Sequence, residues 1–419
     1  VRDIISHTVT AIQNAEHHGG WRALPEQDIF DVEYWELEQA KLGKSQQRGI
    51  FQGRSAVVTG GASGIGYACA VALADGGAVV TVIDKNPEVV DLFESDLNLT
   101  LPDHNNLCVT SIMPGLIGGW ANNVISEDAI GAKAAVVLVI DGLGWNQLQR
   151  YAAAAPFLAG GNGQAITTVA PSTTAAGLTS ITTGVAPGEH GIIGYRVRTP
   201  EGLLNCLRWS AGGFDALTEI PPAEFQPVEP FLNSSPTVVT RAEFKNTGFT
   251  EAHLRNAKLA GWWTPFTMIT QVKNAIKLGE KLVYAYYDGL DKISHVHGMN
   301  EHYLDELAFV DQLVQRLVDE LPTDITLVVT ADHGLVEVGR SVIEIDRDIL
   351  RLCTSTSGEA RFTWLHARRQ EAKALLAEST RYEDNAWVVD VEKVLDEGWF
   401  GPKLTPEARN RLGDVALVA

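Results

Sequence analysis

Three hydrophobic runs of strand length lie between residues 134 and 329, and each is followed by acidic residues. The runs are Ala134–Ile140, Leu282–Tyr287 and Ile325–Val329. Nearly uninterrupted runs of this kind are typical of parallel strands that are buried on both faces of a sheet. Leucines and valines also recur at helical spacing between Leu304 and Leu321, which predicts an amphipathic helix that packs on the sheet.

The acidic residues stand where a parallel sheet usually binds its ligand. Asp141 follows the first run, Asp288 and Asp291 follow the second, and Asp332 follows the third. In open α/β sheets, ligands bind beyond the carboxyl ends of the strands. The pattern therefore predicts that these carboxylates lie together at one edge of the sheet.

A separate β-α-β pattern precedes this region. Ser55–Thr59 is a β-branched run, Gly60–Gly66 is a glycine-rich turn, and Tyr67–Ala74 has the small apolar residues of a helix that packs on a sheet. Ala78–Ile83 predicts a second strand, which ends at Asp84. Strand, glycine loop, helix, strand and acid form the arrangement that holds a dinucleotide.

The length of 419 residues is enough for more than one domain. Residues 1–48 are polar and predict a helical N-terminal segment, and residues 49–95 predict a partial dinucleotide-binding-like β-α-β unit. Residues 100–419 predict the main domain. The expected fold is α/β, with a largely parallel central sheet, helices on both of its faces, and a partial Rossmann-like unit before it.

The charge of the chain restricts its partners. Lys and Arg number 33 against 52 for Asp and Glu, which gives a net charge of −19 and a pI of about 5.0. Such a chain lacks the basic surface that binds a nucleic-acid backbone or an anionic membrane. Any phosphate that it handles must be neutralised locally, by a metal ion or by a helix terminus.

Cysteine usage and hydropathy favour a cytoplasmic protein. The cysteines Cys69, Cys108, Cys206 and Cys353 form no C-x-x-C pair, and free thiols are typical of a reducing compartment. No apolar run reaches the length of a membrane span, and no signal peptide is visible, although the chain begins with Val1 rather than Met.

The glycine-rich turn resembles the opening of a short-chain dehydrogenase. Its pattern, TGxxxGIG, is met by Thr59, Gly60, Gly64, Ile65 and Gly66. The resemblance implies that the three glycines approach a pyrophosphate and that Asp84 binds a ribose hydroxyl.

This resemblance covers only about the first ninety residues. Trp21–Lys44 is similar to the linker that precedes such a module in aldolase/dehydrogenase fusions. Dehydrogenases of this class need a Tyr-x-x-x-Lys pair to move a proton, and no tyrosine here is followed by lysine at that spacing. We expect a vestigial or fused fragment without dehydrogenase activity and without an NAD cofactor.

The rest of the chain carries a series of groups that bind metals or attack phosphorus. The series follows the chain order of the strand ends and consists of Asp141-Gly142, Pro171-Ser-Thr-Thr174, Asp291-x-x-x-His295, Asp332-His333 and His366. Carboxylates mixed with imidazoles suit zinc, and manganese and iron are the alternatives. The absence of sulfur from the series argues against a structural zinc cluster.

The order and spacing of this series resemble the alkaline phosphatase superfamily, and within it the nucleotide pyrophosphatase/phosphodiesterase branch. The resemblance runs from about residue 100 to the C-terminus. Three further segments match it: Thr182-Thr-Gly184, Pro187-Gly-Glu-His-Gly191 and Thr330-Ala-Asp-His-Gly334. It implies two divalent ions in one site, with the first held by Asp141, Asp332 and His333 and in contact with the nucleophile Thr174.

The second ion would be held by Asp291 and His295, together with a histidine late in the chain. A catalytic zinc usually takes three protein ligands and keeps one position open. His366 is the only histidine after His333, so we expect it to be the third ligand. Close relatives place that histidine two positions earlier, at Trp364 of this chain, and a shift of two residues along a strand keeps the same face.

The register of the nucleophile leaves alternatives open. The length of the loop favours Thr174, with Thr173 as the second candidate and Ser172 as the third. The family's usual oxyanion donor, an asparagine three residues after the nucleophile, is Gly177 here. Another amide, such as that of Asn205, could take over this role.

These features predict a metal-dependent phosphoric ester hydrolase. We expect it to cleave a phosphodiester or pyrophosphate bond of a small molecule through a phospho-threonine intermediate. The alternatives are an NAD-dependent short-chain dehydrogenase and a non-catalytic protein on a degenerate phosphatase fold. The sequence leaves the exact substrate and the oligomeric state open.

Overall fold

A computed structural model describes residues 100–338 and 342–419, together with the backbone of two strands at 55–59 and 79–83. The chain divides into two compact units, Val1–Asp96 and Leu97–Ala419. The division lies next to the boundary that the sequence predicts near residue 95.

The N-terminal unit contains the two strands predicted for it. Strand β1 (Ser55–Thr59) pairs in parallel with β2 (Val79–Ile83), with Ser55 opposite Val79. Two neighbouring parallel strands must be joined by a crossover connection. The predicted β-α-β unit contains a connection of this kind. The glycine loop, the helix predicted after it, Asp84 and the segment 1–48 lie outside the described residues.

The second unit is built on a five-stranded sheet in which all strands are parallel, as predicted. Its strands are β3 (Ala134–Ile140), β8 (Thr237–Arg241), β9 (Lys258–Trp262), β10 (Leu282–Tyr287) and β11 (Ile325–Thr330). Their order across the sheet is β11-β3-β10-β8-β9. The three strands predicted from the hydrophobic runs are therefore direct neighbours, so their carboxyl ends meet.

Both faces of this sheet are covered, and β3 shows why its sequence is hydrophobic throughout. Val137 and Val139 belong to one hydrophobic cluster, whereas Val136 and Leu138 belong to a second. Successive side chains of a strand point to opposite faces. The chain thus needs apolar residues at every position of this strand, which confirms the prediction of a sheet with helices on both sides.

The remaining described strands of the second unit form an antiparallel sheet of eight strands, which no pattern in the sequence indicates. Its order is β14-β15-β13-β12-β4-β5-β6-β7. The strands are β4 (Arg196–Thr199), β5 (Gly202–Asn205), β6 (Ser210–Ala211), β7 (Phe214–Asp215), β12 (Cys353–Glu359), β13 (Phe362–Ala367), β14 (Trp387–Asp390) and β15 (Val415–Val418).

Helices fill the connections in the described part of the chain. They are α1 (Ile112–Gly118), α2 (Glu127–Gly131), α3 (Trp145–Arg150), α4 (Pro156–Ala159), α5 (Thr174–Thr183), α6 (Pro187–His190), α7 (Pro222–Phe225), α8 (Gly248–Leu254), α9 (Pro265–Lys277), α10 (Gly289–His297), α11 (Glu301–Glu320), α12 (Arg347–Leu352), α13 (Ala372–Ser379), α14 (Val391–Asp396) and α15 (Pro406–Arg411). Short 3-10 turns occur at Val109–Ser111, Pro230–Asn233, Ala242–Phe244 and Thr380–Tyr382.

The long helix α11 matches the predicted amphipathic helix. It begins after Asn300, whose side chain accepts a hydrogen bond from the His302 amide and so caps the first turn. Leu307, Val310 and Leu317 are buried on its sheet-facing side. Among the described residues, no helix is both long enough and apolar enough to cross a bilayer.

The division into two units leads to a prediction about truncation. A chain that lacks residues 1–96 should still fold, because the three hydrophobic clusters found in the described residues all belong to the second unit. Cooperative thermal unfolding of the truncated protein, together with ester hydrolysis at close to the full-length rate, would be the expected result. A truncated protein that stays folded but loses turnover would contradict the independence of the two units.

Candidate metal centre

The predicted acids meet at the carboxyl edge of the parallel sheet. Asp141 directly follows β3 and Asp332 follows β11, and both are almost completely buried. Asp291 lies in the first turn of α10, which follows β10. One ligand atom each from Asp141, Asp291 and His333 lie within 4.8 Å of one another. The sheet thus brings together side chains that are up to 192 residues apart in the sequence, from 141 to 333.

His333 is the centre of this group. Its Nε2 atom lies 3.2 Å from Asp141 Oδ1, 3.7 Å from Asp332 Oδ2 and 3.1 Å from Thr174 Oγ1. Its Nδ1 atom lies 2.9 Å from the carbonyl oxygen of Gly334. Because a carbonyl oxygen can only accept a hydrogen bond, Nδ1 carries a proton, and in the neutral ring the lone pair of Nε2 points into the group.

Thr174 is the first residue of α5 and is partly exposed, whereas its neighbour Thr173 is buried. The hydroxyl of Thr173 interacts with the carboxylate of Glu359 rather than with the group around His333. The structure therefore places the Thr174 hydroxyl, and not that of Thr173, against His333. Ser172 is exposed, and no described contact connects it with this group.

Apart from the neighbouring His333 ring, three buried carboxylate oxygens in this site have no hydrogen-bond partner among the described residues. They are Asp141 Oδ1, Asp291 Oδ1 and Asp332 Oδ2. The second oxygen of Asp141 accepts a hydrogen bond from Tyr286, and that of Asp332 accepts one from the Gly142 amide at 3.3 Å. Buried anions without partners are costly unless a cation binds them. Oxygen and imidazole donors arranged in this way fit a divalent metal ion.

The pKa values reflect this crowding of negative charge. Burial and the nearby charge of Asp332 raise the pKa of Asp141 to about 6. Burial and the charge of Asp141 raise the pKa of Asp291 to about 6. Burial by itself would lower the pKa of His333, but Asp332 and Asp141 outweigh it and raise that pKa well above its ordinary value. A divalent cation would remove the repulsion between the carboxylates and would displace these protons.

Comparison with known proteins agrees with the geometry. The family described as Type I phosphodiesterase / nucleotide pyrophosphatase matches residues 135–419, which is more than half of the chain. The chain belongs to this phosphodiesterase family. Murine ectonucleotide pyrophosphatase / phosphodiesterase 5 superposes with a TM-score of 0.52, at 14% identity, over 68% of this chain and 78% of that protein. This similarity confirms the alkaline phosphatase-like fold.

A family match also supports the resemblance of the N-terminal segment to aldolase fusions. The second domain of class II aldolases matches residues 1–42. A protein named uncharacterized oxidoreductase YuxG, from Bacillus subtilis (strain 168), is 33% identical over 90 residues, which are 22% of this chain and 13% of that protein. The chain thus shares only about an eighth of the length of that relative.

The two other histidines that the sequence predicts as metal ligands, His295 and His366, lie in different environments. His295 is close to Asp291, with Nε2 3.4 Å from Asp291 Oδ2, and its side chain is 63% exposed. His366 is fully buried, and its Nε2 atom lies 2.7 Å from Ser357 Oγ. The structure thus brings His295 to the group and does not bring His366 to it.

The predicted oxyanion donor also lies in another environment. The side-chain amide of Asn205 donates to the Tyr195 hydroxyl at 2.7 Å, and its oxygen accepts from the Arg208 amide at 3.0 Å. Neither contact involves the metal-binding group. At Gly177, a Cβ atom would come within 2.5 Å of the Asp332 carbonyl oxygen, so α5 packs too closely for an asparagine to stand there.

Two residues of this site escape prediction from the sequence. Tyr286 lies in β10, and its hydroxyl donates to Asp141, which orients that carboxylate. The alternation of side chains along a strand whose carboxyl end carries acids could have singled it out. Glu359 ends β12 in the antiparallel sheet, and no motif in the sequence marks it.

Proposed function

We propose that this protein hydrolyses a phosphodiester or pyrophosphate bond of a small molecule, with Thr174 as its nucleophile. The reaction would use two divalent metal ions, for which zinc is the preferred candidate and manganese and iron are the alternatives. The family membership supports a phosphoric ester hydrolase. The observation that carries the proposal is the contact of 3.1 Å between the Thr174 hydroxyl and His333, inside a group of buried carboxylates that each keep one oxygen without a hydrogen-bond donor other than His333.

The first ion fits the residues that the sequence assigns to it. Asp141, Asp332 and His333 offer two carboxylate oxygens without partners and an imidazole nitrogen, and the Thr174 hydroxyl lies beside them. Bound divalent ions supply positive charge that lowers the pKa of a hydroxyl and stabilises negative charge on the phosphoryl oxygens. This local charge is needed because the chain as a whole carries −19.

The chemistry of the protein's own residues then follows in two stages. The Thr174 oxygen attacks phosphorus as its proton passes to solvent, and the bond from phosphorus to the leaving-group oxygen breaks, so that the leaving group departs with the electron pair. A water molecule then attacks the phosphorus of the phospho-threonine, the bond from phosphorus to the Thr174 oxygen breaks, and that oxygen takes up a proton, which restores the hydroxyl. The α5 N-terminus, where Thr174 stands, presents backbone amides that favour a negatively charged phosphoryl group.

A screen of nitrophenyl esters, together with metal analysis of the purified protein, tests this proposal. Zinc-loaded protein should hydrolyse a phosphodiester such as bis(4-nitrophenyl) phosphate, and a chelator should remove the activity. Preference for the corresponding monoester would change the substrate class. A protein that binds metal but hydrolyses neither ester would favour a non-catalytic member of the fold, and NAD-dependent turnover would favour the dehydrogenase.

The raised pKa values predict that metal affinity depends on pH. Protons and cations compete for the same oxygens, and the pKa values of Asp141 and Asp291 are both about 6. Affinity should therefore fall as the pH drops below about 6, by roughly tenfold per pH unit for each proton displaced. Because the pKa of His333 lies well above its ordinary value, affinity should continue to rise above neutral pH.

Competition with a chromophoric chelator at a series of pH values measures this dependence. The slope of the logarithm of affinity against pH gives the number of protons that the ion displaces. An affinity that does not change between about pH 5 and about pH 8 would contradict a site built from these carboxylates and His333.

A further inference from the structure

One glutamine, Gln147, connects two of the loops that carry metal-binding residues. It lies on α3, which follows the loop after Asp141, and its side chain is partly buried. Its Nε2 atom donates to the carbonyl oxygen of Leu335 at 2.7 Å, and its Oε1 atom accepts from the Leu335 amide at 3.3 Å. The side chain thus pairs with the backbone of Leu335 through both groups, as an antiparallel strand would.

The Leu335 amide belongs to the same peptide group as the carbonyl of Gly334. That carbonyl oxygen lies 2.9 Å from Nδ1 of His333 and accepts its hydrogen bond. Because a peptide group is planar, its N–H and C=O keep fixed directions relative to one another. The hydrogen bond that the amide donates to Gln147 therefore sets the direction of the carbonyl, which in turn orients the ring of His333.

The two loops are also in direct backbone contact, at Gly144 and Gly334. An ideal Cβ atom at Gly144 would come within 2.7 Å of Gly334 Cα and would overlap with Gln147 Oε1. An ideal Cβ atom at Gly334 would come within 3.2 Å of Gly144 Cα and within 3.1 Å of Gln147 Oε1. Glycine at both positions allows this close approach. The contact leaves the Gln147 side chain a single place between the loops.

The orientation of the His333 ring matters because Nε2 faces three groups at once. They are Asp141 Oδ1, Asp332 Oδ2 and Thr174 Oγ1, all within 3.7 Å. A ligating histidine is normally held in place by a partner on its other ring nitrogen. Among the described residues, only Gln147 forms hydrogen bonds with the Leu335 backbone and so restrains the peptide group that provides this partner.

We propose that Gln147 is a positioning residue of the metal centre, which holds the His333 ring with Nε2 towards the first ion by way of the Gly334–Leu335 peptide group. This inference rests on the proposed function, because it takes the first ion from it. Without Gln147, water would satisfy the Leu335 amide and the peptide group could rotate. The ring would then have to be ordered when the ion binds, which weakens binding.

Metal affinity tests this role without depending on turnover. Gln147→Met removes both hydrogen bonds and keeps a side chain of similar length. Its affinity for zinc at the first site, measured by competition with a chromophoric chelator, should fall by roughly 10- to 100-fold, as is usual when the partner of a ligating histidine is lost. The number of ions bound at saturating zinc chloride should not change, since the ligands remain. An affinity equal to that of wild type would overturn the inference.

Gln226 offers a matched control, because its side chain also pairs with backbone groups. Its Nε2 atom donates to the Ala252 carbonyl at 2.7 Å, and its Oε1 atom accepts from the Val228 amide at 2.6 Å. It is completely buried, and neither contact involves the metal centre. Gln226→Met should lower the free energy of unfolding at least as much as Gln147→Met, because it leaves buried groups unpaired. Its zinc affinity should stay at the wild-type value, and an equal loss of affinity in both variants would overturn the positioning role.

The proton on His333 Nδ1 provides a spectroscopic measurement of the same effect. In zinc-loaded wild type with ¹⁵N-labelled histidine, this proton should give a downfield NMR signal that exchanges slowly with water. Its absence from the spectrum of His333→Gln assigns it. The signal should broaden through faster exchange in Gln147→Met and stay unchanged in Gln226→Met. An unchanged signal in Gln147→Met would overturn the inference.

A failure of this inference can be separated from a failure of the proposed function. Ester hydrolysis that needs Thr174, combined with unchanged zinc affinity in Gln147→Met, would overturn the role of Gln147 and leave the hydrolase standing. Zinc binding without hydrolysis of any phosphate ester would overturn the proposed function, while a weaker zinc affinity in Gln147→Met would still support the positioning role.

Discussion

Replacing Thr174 by alanine is expected to abolish almost all turnover while the protein keeps its metal. The hydroxyl that would attack phosphorus lies 3.1 Å from His333 Nε2, and alanine removes it without changing the ligands Asp141, Asp332 and His333. Loss of a covalent nucleophile typically lowers kcat by on the order of 10³-fold or more. Ester hydrolysis and zinc content, measured on the same preparation, check both parts of the prediction.

Two matched variants define the register of the nucleophile. Thr174→Ser keeps a hydroxyl at the same position and should retain substantial turnover. Thr173→Ala should have a smaller effect than Thr174→Ala, since the Thr173 hydroxyl is buried and interacts with Glu359. If Thr173→Ala were inactive and Thr174→Ala close to wild type, the register would be wrong by one residue.

The parallel sheet could be predicted because each of its buried strands is encoded by a continuous run of apolar residues. A strand such as β3, which touches a hydrophobic cluster on each face, needs an apolar residue at every position, and this produces a visible run. The acid that ends each run then falls at the carboxyl edge. The hydrophobic runs and the residues that follow them therefore predict that Asp141, Asp291 and His333 belong to one site, where the structure brings them together.

The antiparallel sheet could not be predicted in the same way. Several of its strands are short or mixed in burial: β6 and β7 have two residues each, and β4 alternates between exposed and buried positions. Such segments do not differ clearly from loops. The position of Glu359 follows from the pairing of β12 with β13, and this non-local pairing has no counterpart in a sequence motif.

The prediction that His366 binds the second ion rests on strand periodicity, and the structure does not bring this residue to the group. A shift of two residues keeps the face of the strand, but it also moves the side chain by about 6.6 Å along the strand. A side chain on the correct face of the strand can therefore still lie too far along the strand to reach the ion. The loss of the usual asparagine at Gly177 has a clear steric reason instead, because helix α5 contacts the Asp332 backbone at that point.

The second large effect is expected for Asp332→Asn. Asp332 is completely buried, its Oδ1 accepts a hydrogen bond from the Gly142 amide, and its Oδ2 lies 3.7 Å from His333 Nε2 without a hydrogen-bond partner. Asparagine has almost the same shape but no charge, so the affinity for the first ion should fall by roughly 100-fold or more. Turnover should fall with it, because the Thr174 hydroxyl would lose the cation beside it.

The same variant should respond differently to metal in thermal unfolding. Burial raises the pKa of Asp332 in the folded state, so its charged form costs stability above the ordinary pKa of an aspartate. Without metal, Asp332→Asn should therefore unfold at a higher temperature than wild type. With the ion at 100 times its Kd for wild type, the free energy of unfolding of wild type should rise by about 2.7 kcal/mol, and that of the variant by much less.

Asp324→Asn is the control, because it changes a half-exposed aspartate in an ion pair with Lys133. It should behave as wild type in both conditions. An Asp332→Asn protein that is stabilised by metal as strongly as wild type would show that Asp332 does not bind the ion.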